Sequence, residues 1–260
     1  MRIPRNLVVS ATLLAFAATG ASAAVKTRVV DYAQGGTELQ GFMAWDDAAK
    51  GKHPGVLVVH EWWGHNAHAR RAAEKLARAG YAAFALDMYG KGKLATHPDQ
   101  AQAFVAEATK DALVPERFNA ALDILKNDAH VDAARIGAIG YCFGGAVVLG
   151  MARAGADLKA VGTFHGALGT QTPAEPDKVK AKLLVQTGVA DPMVPAEAVA
   201  AFEKEMTAAH AIYRIVRYPG VKHSFTNPDA DKTGMDGLKY DAAADKKSWA
   251  ELLKFFKAEL

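Results

Sequence analysis

Arg135-Ile136-Gly137-Ala138-Ile139-Gly140-Tyr141-Cys142-Phe143-Gly144-Gly145 is the stretch on which the fold turns. Residues 135–140 form a short apolar run of the kind that makes a strand buried on both faces. Residues 143–153, rich in Ala, Val and Leu, read as a helix. Between them lies Gly140-x-Cys142-x-Gly144, a G-x-S-x-G strand–turn–helix pattern with cysteine in the serine position. Such a turn is tight and strained, and side chains at its flanking positions would collide with the neighbouring strand and helix. The turn holds the sulfur out at the sheet edge. It also sets it at a helix N-terminus, whose partial positive charge favours a thiolate.

The same alternation extends outward. Residues 55–60, 81–88, 158–164, 182–187 and 212–218 are strand-like runs. Residues 67–79, 98–109, 115–127, 196–209 and 242–259 have helical periodicity. In the helix over 115–127, Phe118, Ala121, Leu122 and Leu125 share one face; in the last, Trp249, Leu252, Leu253 and Phe256 do. Residues 27–33 and 38–45 flank the turn signal Gly35-Gly36 and predict an early hairpin. Strands alternating with amphipathic helices predict an α/β fold, a mostly parallel sheet with helices on both faces. In such folds functional groups cluster at the C-terminal ends of the strands.

Composition narrows the chemistry. Of 260 residues, half are apolar and 23% charged, a globular balance, and a formal charge of +3 is too small to suggest a nucleic-acid partner. Cys142 is the single cysteine, so no internal disulfide and no Cys-rich metal site can form. The four serines are Ser10, Ser22, Ser224 and Ser248, and none lies between glycines. An elbow nucleophile in this chain has to be Cys142.

The N-terminus reads as a signal peptide over residues 1–23: Arg2 and Arg5, an apolar stretch over residues 7–19, and Ala21-Ser22-Ala23 as cleavage site. The stretch is shorter than a bilayer span. Cleavage leaves 237 of the 260 residues as one domain over 24–260, and loss of the two arginines lowers the formal charge from +3 to +1. The mature chain is expected to be exported, periplasmic or secreted, with no membrane partner.

Elbow folds place an acid and then a histidine after the nucleophile. Asp191 follows the strand over 182–187, and His223 follows that over 212–218. His223 is the candidate base and Asp191 its orienting carboxylate. His60-Glu61-Trp62-Trp63-Gly64-His65 follows the strand over 55–60. It is one residue too long for the H-E-x-x-H zinc pattern and does not start a helix, so no metal is expected there. The backbone N–H groups of Trp62 and Phe143 are the candidate oxyanion hole. Glu61 falls at the expected active-site mouth, and Trp63 is either core or pocket wall.

These residues resemble the dienelactone hydrolase family of the α/β-hydrolase superfamily. The matching pieces are residues 60–66, Asp87-Met88-Tyr89, residues 140–145, Asp191 and His223-Ser224-Phe225, across about residues 37–260. The resemblance implies a hydrolase of small esters or lactones, of the carboxymethylenebutenolidase class, that works through a Cys–His–Asp triad without a cofactor. It implies that Glu61 interacts with the thiol. It also points to Lys91 and Asn227 as substrate-binding candidates, at positions where the archetype carries two carboxylate-binding arginines. Lys91 keeps the charge without the bidentate fork, and Asn227 loses it, so a strongly anionic substrate is not expected. Two readings from other classes stand beside the hydrolase. One is a thiol redox protein cycling through Cys142 sulfenate, weakened by the lack of a resolving cysteine. The other is a ligand-binding relic of the fold.

Overall fold

In the computed structural model, which describes residues 24–260, the stretch over 135–145 lies at the centre of one eight-stranded sheet. The strands are β1 (Val25–Gln34), β2 (Thr37–Asp46), β3 (His53–Val59), β4 (Ala82–Leu86), β5 (Val131–Tyr141), β6 (Ala160–Phe164), β7 (Lys182–Gly188) and β8 (Tyr213–Tyr218). Their order across the sheet is β1-β2-β4-β3-β5-β6-β7-β8. The hairpin β1–β2 is antiparallel and joins β4 antiparallel; every other pairing is parallel. The helices are α1 (Ala67–Arg78), α2 (Pro98–Ala108), α3 (Leu113–Lys126), α4 (Phe143–Arg153), α5 (Ala196–Ala208) and α6 (Ala242–Glu259), with a short 3-10 turn at Ala230–Thr233. The signal peptide expected over residues 1–23 lies outside the described residues. No helix among the described residues is long and apolar enough to cross a membrane.

Strand periodicity explains the two cores. Along β3, Leu57 and Val59 point to one face and Val56 and Val58 to the other; along β4, Phe84 and Leu86 oppose Ala83 and Ala85. The first face is covered by α3, α4 and α5 through Phe118, Leu125, Val148, Phe202 and Met206. The second is covered by α1 and α6 through Leu76, Ala73, Leu252 and Phe256. The α3 stripe expected from sequence is buried at all four positions. On α6, Leu252 and Phe256 are buried, with Trp249 and Leu253 packed beside them. β5 begins at Val131, four residues before the expected strand. Its early part pairs with His53 and Pro54 across a register shift, where Asp132-Ala133-Ala134 has no apolar signature.

Two close approaches fix the packing, one between neighbouring strands and one between sheet and helix. A Cβ on Gly41 would overlap the Phe84 ring, and one on Gly162 would meet Leu252. Phe84 is fully buried and edges toward Tyr32, which links β1, β2 and β4. Phe84→Ala is therefore expected to cost about 3–5 kcal/mol in urea unfolding, as a large cavity opens against a glycine that cannot fill it. A loss under about 1 kcal/mol would show that this part of the core collapses around the gap.

Candidate active site

Cys142 joins β5 to α4 with φ +52° and ψ −115°, a conformation that non-glycine residues rarely adopt. Its surroundings explain why the flanking positions are glycine. A Cβ on Gly140 would overlap the Gly144 carbonyl, one on Gly144 would strike the carbonyls of Val59 and His60, and one on Gly145 would press on Gly166 Cα. The first turn of α4 thus lies backbone against backbone on the ends of β3 and β6. The Cys142 N–H is tied to Phe164 O (3.1 Å) and the Gly144 N–H to His60 O (3.1 Å). The thiol is half-buried.

The acid and the histidine reach the same sheet edge from β7 and β8. Asp191 Oδ2 lies 2.7 Å from His223 Nδ1. Its Oδ1 accepts the N–H groups of Met193 (2.8 Å) and Val194 (3.2 Å), so the carboxylate cannot rotate away. The two loops are stitched together by Ala190 N–H to Val221 O, and Gly188 leaves no room for a side chain against Val221. With Nδ1 donating to Asp191, the other nitrogen of His223 faces the site. Nε2 is buried and has no hydrogen-bond partner within the described protein. Cys142 and His223 line one cavity of about 400 Å³. Burial disfavours a charge on His223, but the neighbouring Cys142 sulfur and the Asp191 hydrogen bond outweigh it and raise its pKa to about 10. His165 packs edge-on against His223 at 4.9 Å, and burial holds its own pKa well below the usual value, so this second ring stays neutral.

The remaining sequence candidates divide. Trp62 and Phe143 both line the thiol cavity. Among the described residues neither backbone N–H has an acceptor within the protein, as an oxyanion hole requires. Glu61, expected at the active-site mouth, is buried. Its carboxylate accepts Ser224 Oγ–H (2.8 Å) and Asn227 Nδ2–H (2.6 Å), with His68 Nδ1 at 3.9 Å and His165 Nε2 at 4.0 Å. Its hydrogen bonds thus go to the segment following His223, and it ties that loop to the β3 loop rather than bonding the thiol. Asn227 is occupied by that contact, and with Trp63 it lines a neighbouring cavity instead of the thiol cavity. Lys91 is on the surface, paired with Asp31 of β1 at 2.8 Å, and does not reach the site. Its backbone follows the Asp87 turn, whose carboxylate accepts the Tyr89 and Gly90 N–H groups and turns the chain toward β1. Among the described residues no group of three or more His, Cys, Asp or Glu is arranged to hold a metal ion.

Three residues at the site carried no assignment from sequence: His165, Ser224 and Tyr89. His165 directly follows β6, so the strand-end rule points to it, and both His165 and Ser224 have positive φ. Tyr89 donates its hydroxyl to Trp62 O (3.0 Å) from the loop after β4, a contact with no local signature.

A mostly parallel sheet with a strained cysteine elbow, a later acid and a later histidine defines an α/β-hydrolase. Residues 39–260 match the family model described as "Dienelactone hydrolase family", and the chain belongs to that family. It is 36% identical to a dienelactone hydrolase-like promiscuous phosphotriesterase from metagenomic libraries, with a TM-score of 0.86 over 90% of this chain and 98% of that one. It is 30% identical over 217 residues to a probable 2-oxo-3-(5-oxofuran-2-ylidene)propanoate lactonase of Bradyrhizobium sp., covering 78% of this chain and 86% of that protein. It is 27% identical over 249 residues to a putative carboxymethylenebutenolidase of Synechocystis sp., covering 91% and 98%.

The raised pKa of His223 has a direction that can be tested. If the protonated ring is the working form, it persists up to about pH 10, and kcat/KM should fall as pH rises through that value. Asp191→Asn removes one of the groups holding the proton, so its alkaline limb should move to lower pH, with kcat reduced on the order of 10²- to 10⁴-fold. A pH–rate profile unchanged by Asp191→Asn would separate the carboxylate from the working of His223.

Proposed function

We propose that this chain hydrolyses small, uncharged carboxylic esters or lactones, with Cys142 as nucleophile, His223 as acid and base, and Asp191 as orienting carboxylate. The observation that carries the reading is the shared cavity of Cys142 and His223, with His223 held through Nδ1 at 2.7 Å from Asp191. In the resting site the thiol proton resides on His223 Nε2. The thiolate attacks the carbonyl carbon, a C–S bond forms, and the carbonyl electron pair moves onto oxygen. That oxyanion is held by the Trp62 and Phe143 N–H groups. The intermediate collapses, and the departing alkoxide takes the proton from Nε2, which leaves an acyl-thioester and a neutral imidazole. Water then attacks the thioester while His223 accepts its proton. Collapse releases the acid and restores the thiolate beside protonated His223. These steps use only the chain's own groups and water.

The cavity wall supports the substrate class. Trp62, Val105, Val114, Phe143 and Met193 line it, and no Lys, Arg, Asp or Glu is among the described residues that do. A carboxylated substrate would lose hydration there without gaining a lysine or arginine partner, and it would face the proposed thiolate that already pairs with His223. With Lys91 tied to Asp31 and Asn227 to Glu61, neither supplies an anchor.

Cys142→Ala should lose nearly all activity on a nitrophenyl acetate, and mass spectrometry of the wild type caught early in turnover should find the acetyl group on Cys142. In an ester and lactone panel, neutral members should exceed their carboxylated counterparts in kcat/KM. An active Cys142→Ala protein would end the triad reading, and a preference for the carboxylated members would end the neutral-substrate reading. We further propose export, supported by the basic residues, apolar run and Ala21-Ser22-Ala23 site of the N-terminus. Protein recovered from outside the cytoplasm should begin near Ala24, and retention of residues 1–23 in the cytoplasm would contradict export.

A further inference from the structure

His60 is a fully buried histidine that the steps above do not use. Its ring is gripped from both sides. Nε2 accepts the Met88 N–H at 3.2 Å, so the proton of the neutral ring sits on Nδ1. Nδ1 lies 2.5 Å from Glu61 O and donates to it. The ring packs edge-on against Tyr89 at 4.8 Å and tilts over Phe143 at 6.1 Å. Burial lowers its pKa, which keeps the ring neutral, and the two hydrogen bonds select the tautomer.

The consequence lies in the next peptide. Glu61 C=O and Trp62 N–H belong to one planar trans unit, in which N–H and C=O point in opposite directions. Fixing the carbonyl therefore aims the N–H. Two donors hold that carbonyl: His60 Nδ1–H and the Gly64 N–H at 3.1 Å. Tyr89 Oη–H holds the following carbonyl, Trp62 O, at 3.0 Å. The His60 backbone meanwhile accepts the Gly144 N–H, so the same residue that orients the Trp62 N–H also docks the first turn of α4, where the Phe143 N–H begins.

We propose that His60 is a positioning residue that sets the oxyanion hole: its Nδ1–H pins the Glu61–Trp62 peptide so that the Trp62 N–H faces the sulfur cavity beside the Phe143 N–H. The proposal rests on the hydrolase reading. It assigns His60 no proton transfer and no contact with substrate.

The test separates oxyanion stabilisation from thiol reactivity. Alkylation of Cys142 by iodoacetamide needs the nucleophilic sulfur but no oxyanion hole, whereas acylation by a nitrophenyl acetate needs both. Three variants are compared with wild type: His60→Ala, His60→Asn, whose amide N–H takes the place of Nδ1–H, and His60→Gln, whose amide falls nearer Nε2. The expected result is acylation slowed about 10²-fold in His60→Ala and His60→Gln and largely restored in His60→Asn. Alkylation rates should stay within about threefold throughout, against the size of that acylation effect. Thermal unfolding identifies any variant that fails to fold, and the Asn–Gln pair carries the comparison if His60→Ala does not. Equal acylation rates in His60→Asn and His60→Gln would overturn the proposal. So would acylation and alkylation falling together. Failure of the hydrolase reading itself registers separately, as ester turnover that survives in Cys142→Ala.

Discussion

The site depends on one steric constraint: the first turn of α4 lies on the sheet with no side chain between them. Gly144 touches the carbonyls that close β3, and Gly145 touches Gly166 beyond β6. That approach forces Cys142 to φ +52° and leaves its sulfur beyond the sheet edge, at the start of a helix. Everything else is arranged around the resulting point. The β3 loop brings Trp62 to it, the β7 loop Asp191, and the β8 loop His223. A strained backbone of this kind persists only where its neighbours over-determine it, and here they do so through backbone hydrogen bonds to Phe164 and His60.

Around that point the fold gathers histidines and assigns them different states by burial and partner. His223 faces the sulfur and a carboxylate and is held protonated. His165 touches the His223 ring, is buried without an anionic hydrogen-bond partner, and is held neutral. His60 is buried between a backbone donor and a backbone acceptor, which selects one tautomer. The same residue type thus serves as the proposed proton carrier, as a packing partner and as the proposed backbone strut. Glu61 forms the bridge between these parts, since its backbone belongs to the loop after β3 and its carboxylate holds the segment after His223.

Much of this was legible in the sequence because the signals were local. Parallel strands such as β3 and β7 are continuous apolar runs, and the α3 and α6 stripes recur at helical spacing. The glycines at 140, 144 and 145 carry the elbow by themselves. Asp191 and His223, each just beyond a strand, needed the rule that sites gather at strand ends together with the acid-then-histidine order of elbow folds. What was not legible depended on side-chain direction or on distant contacts. Lys91 is four residues past Asp87, but the turn after β4 directs it to β1. Glu61 adjoins Trp62 in sequence, yet its carboxylate turns to partners more than 160 residues away. The cavity wall draws Val105 from α2, Val114 from α3 and Met193 from the Asp191 loop, a combination that no spacing announces. The early part of β5 was hidden for a related reason, because its polar residues pair only across a register shift with β3.

The proposed chemistry depends on a charged sulfur–imidazole pair, poised before substrate arrives. The most direct measurement is a nuclear magnetic resonance titration of the His223 ring in the wild-type protein and in Cys142→Ala. Such a pair keeps wild-type His223 protonated through neutral pH, with titration at about 10, and removal of the sulfur lowers that pKa. A His223 that titrates near its ordinary value of 6.5 in both proteins would contradict it.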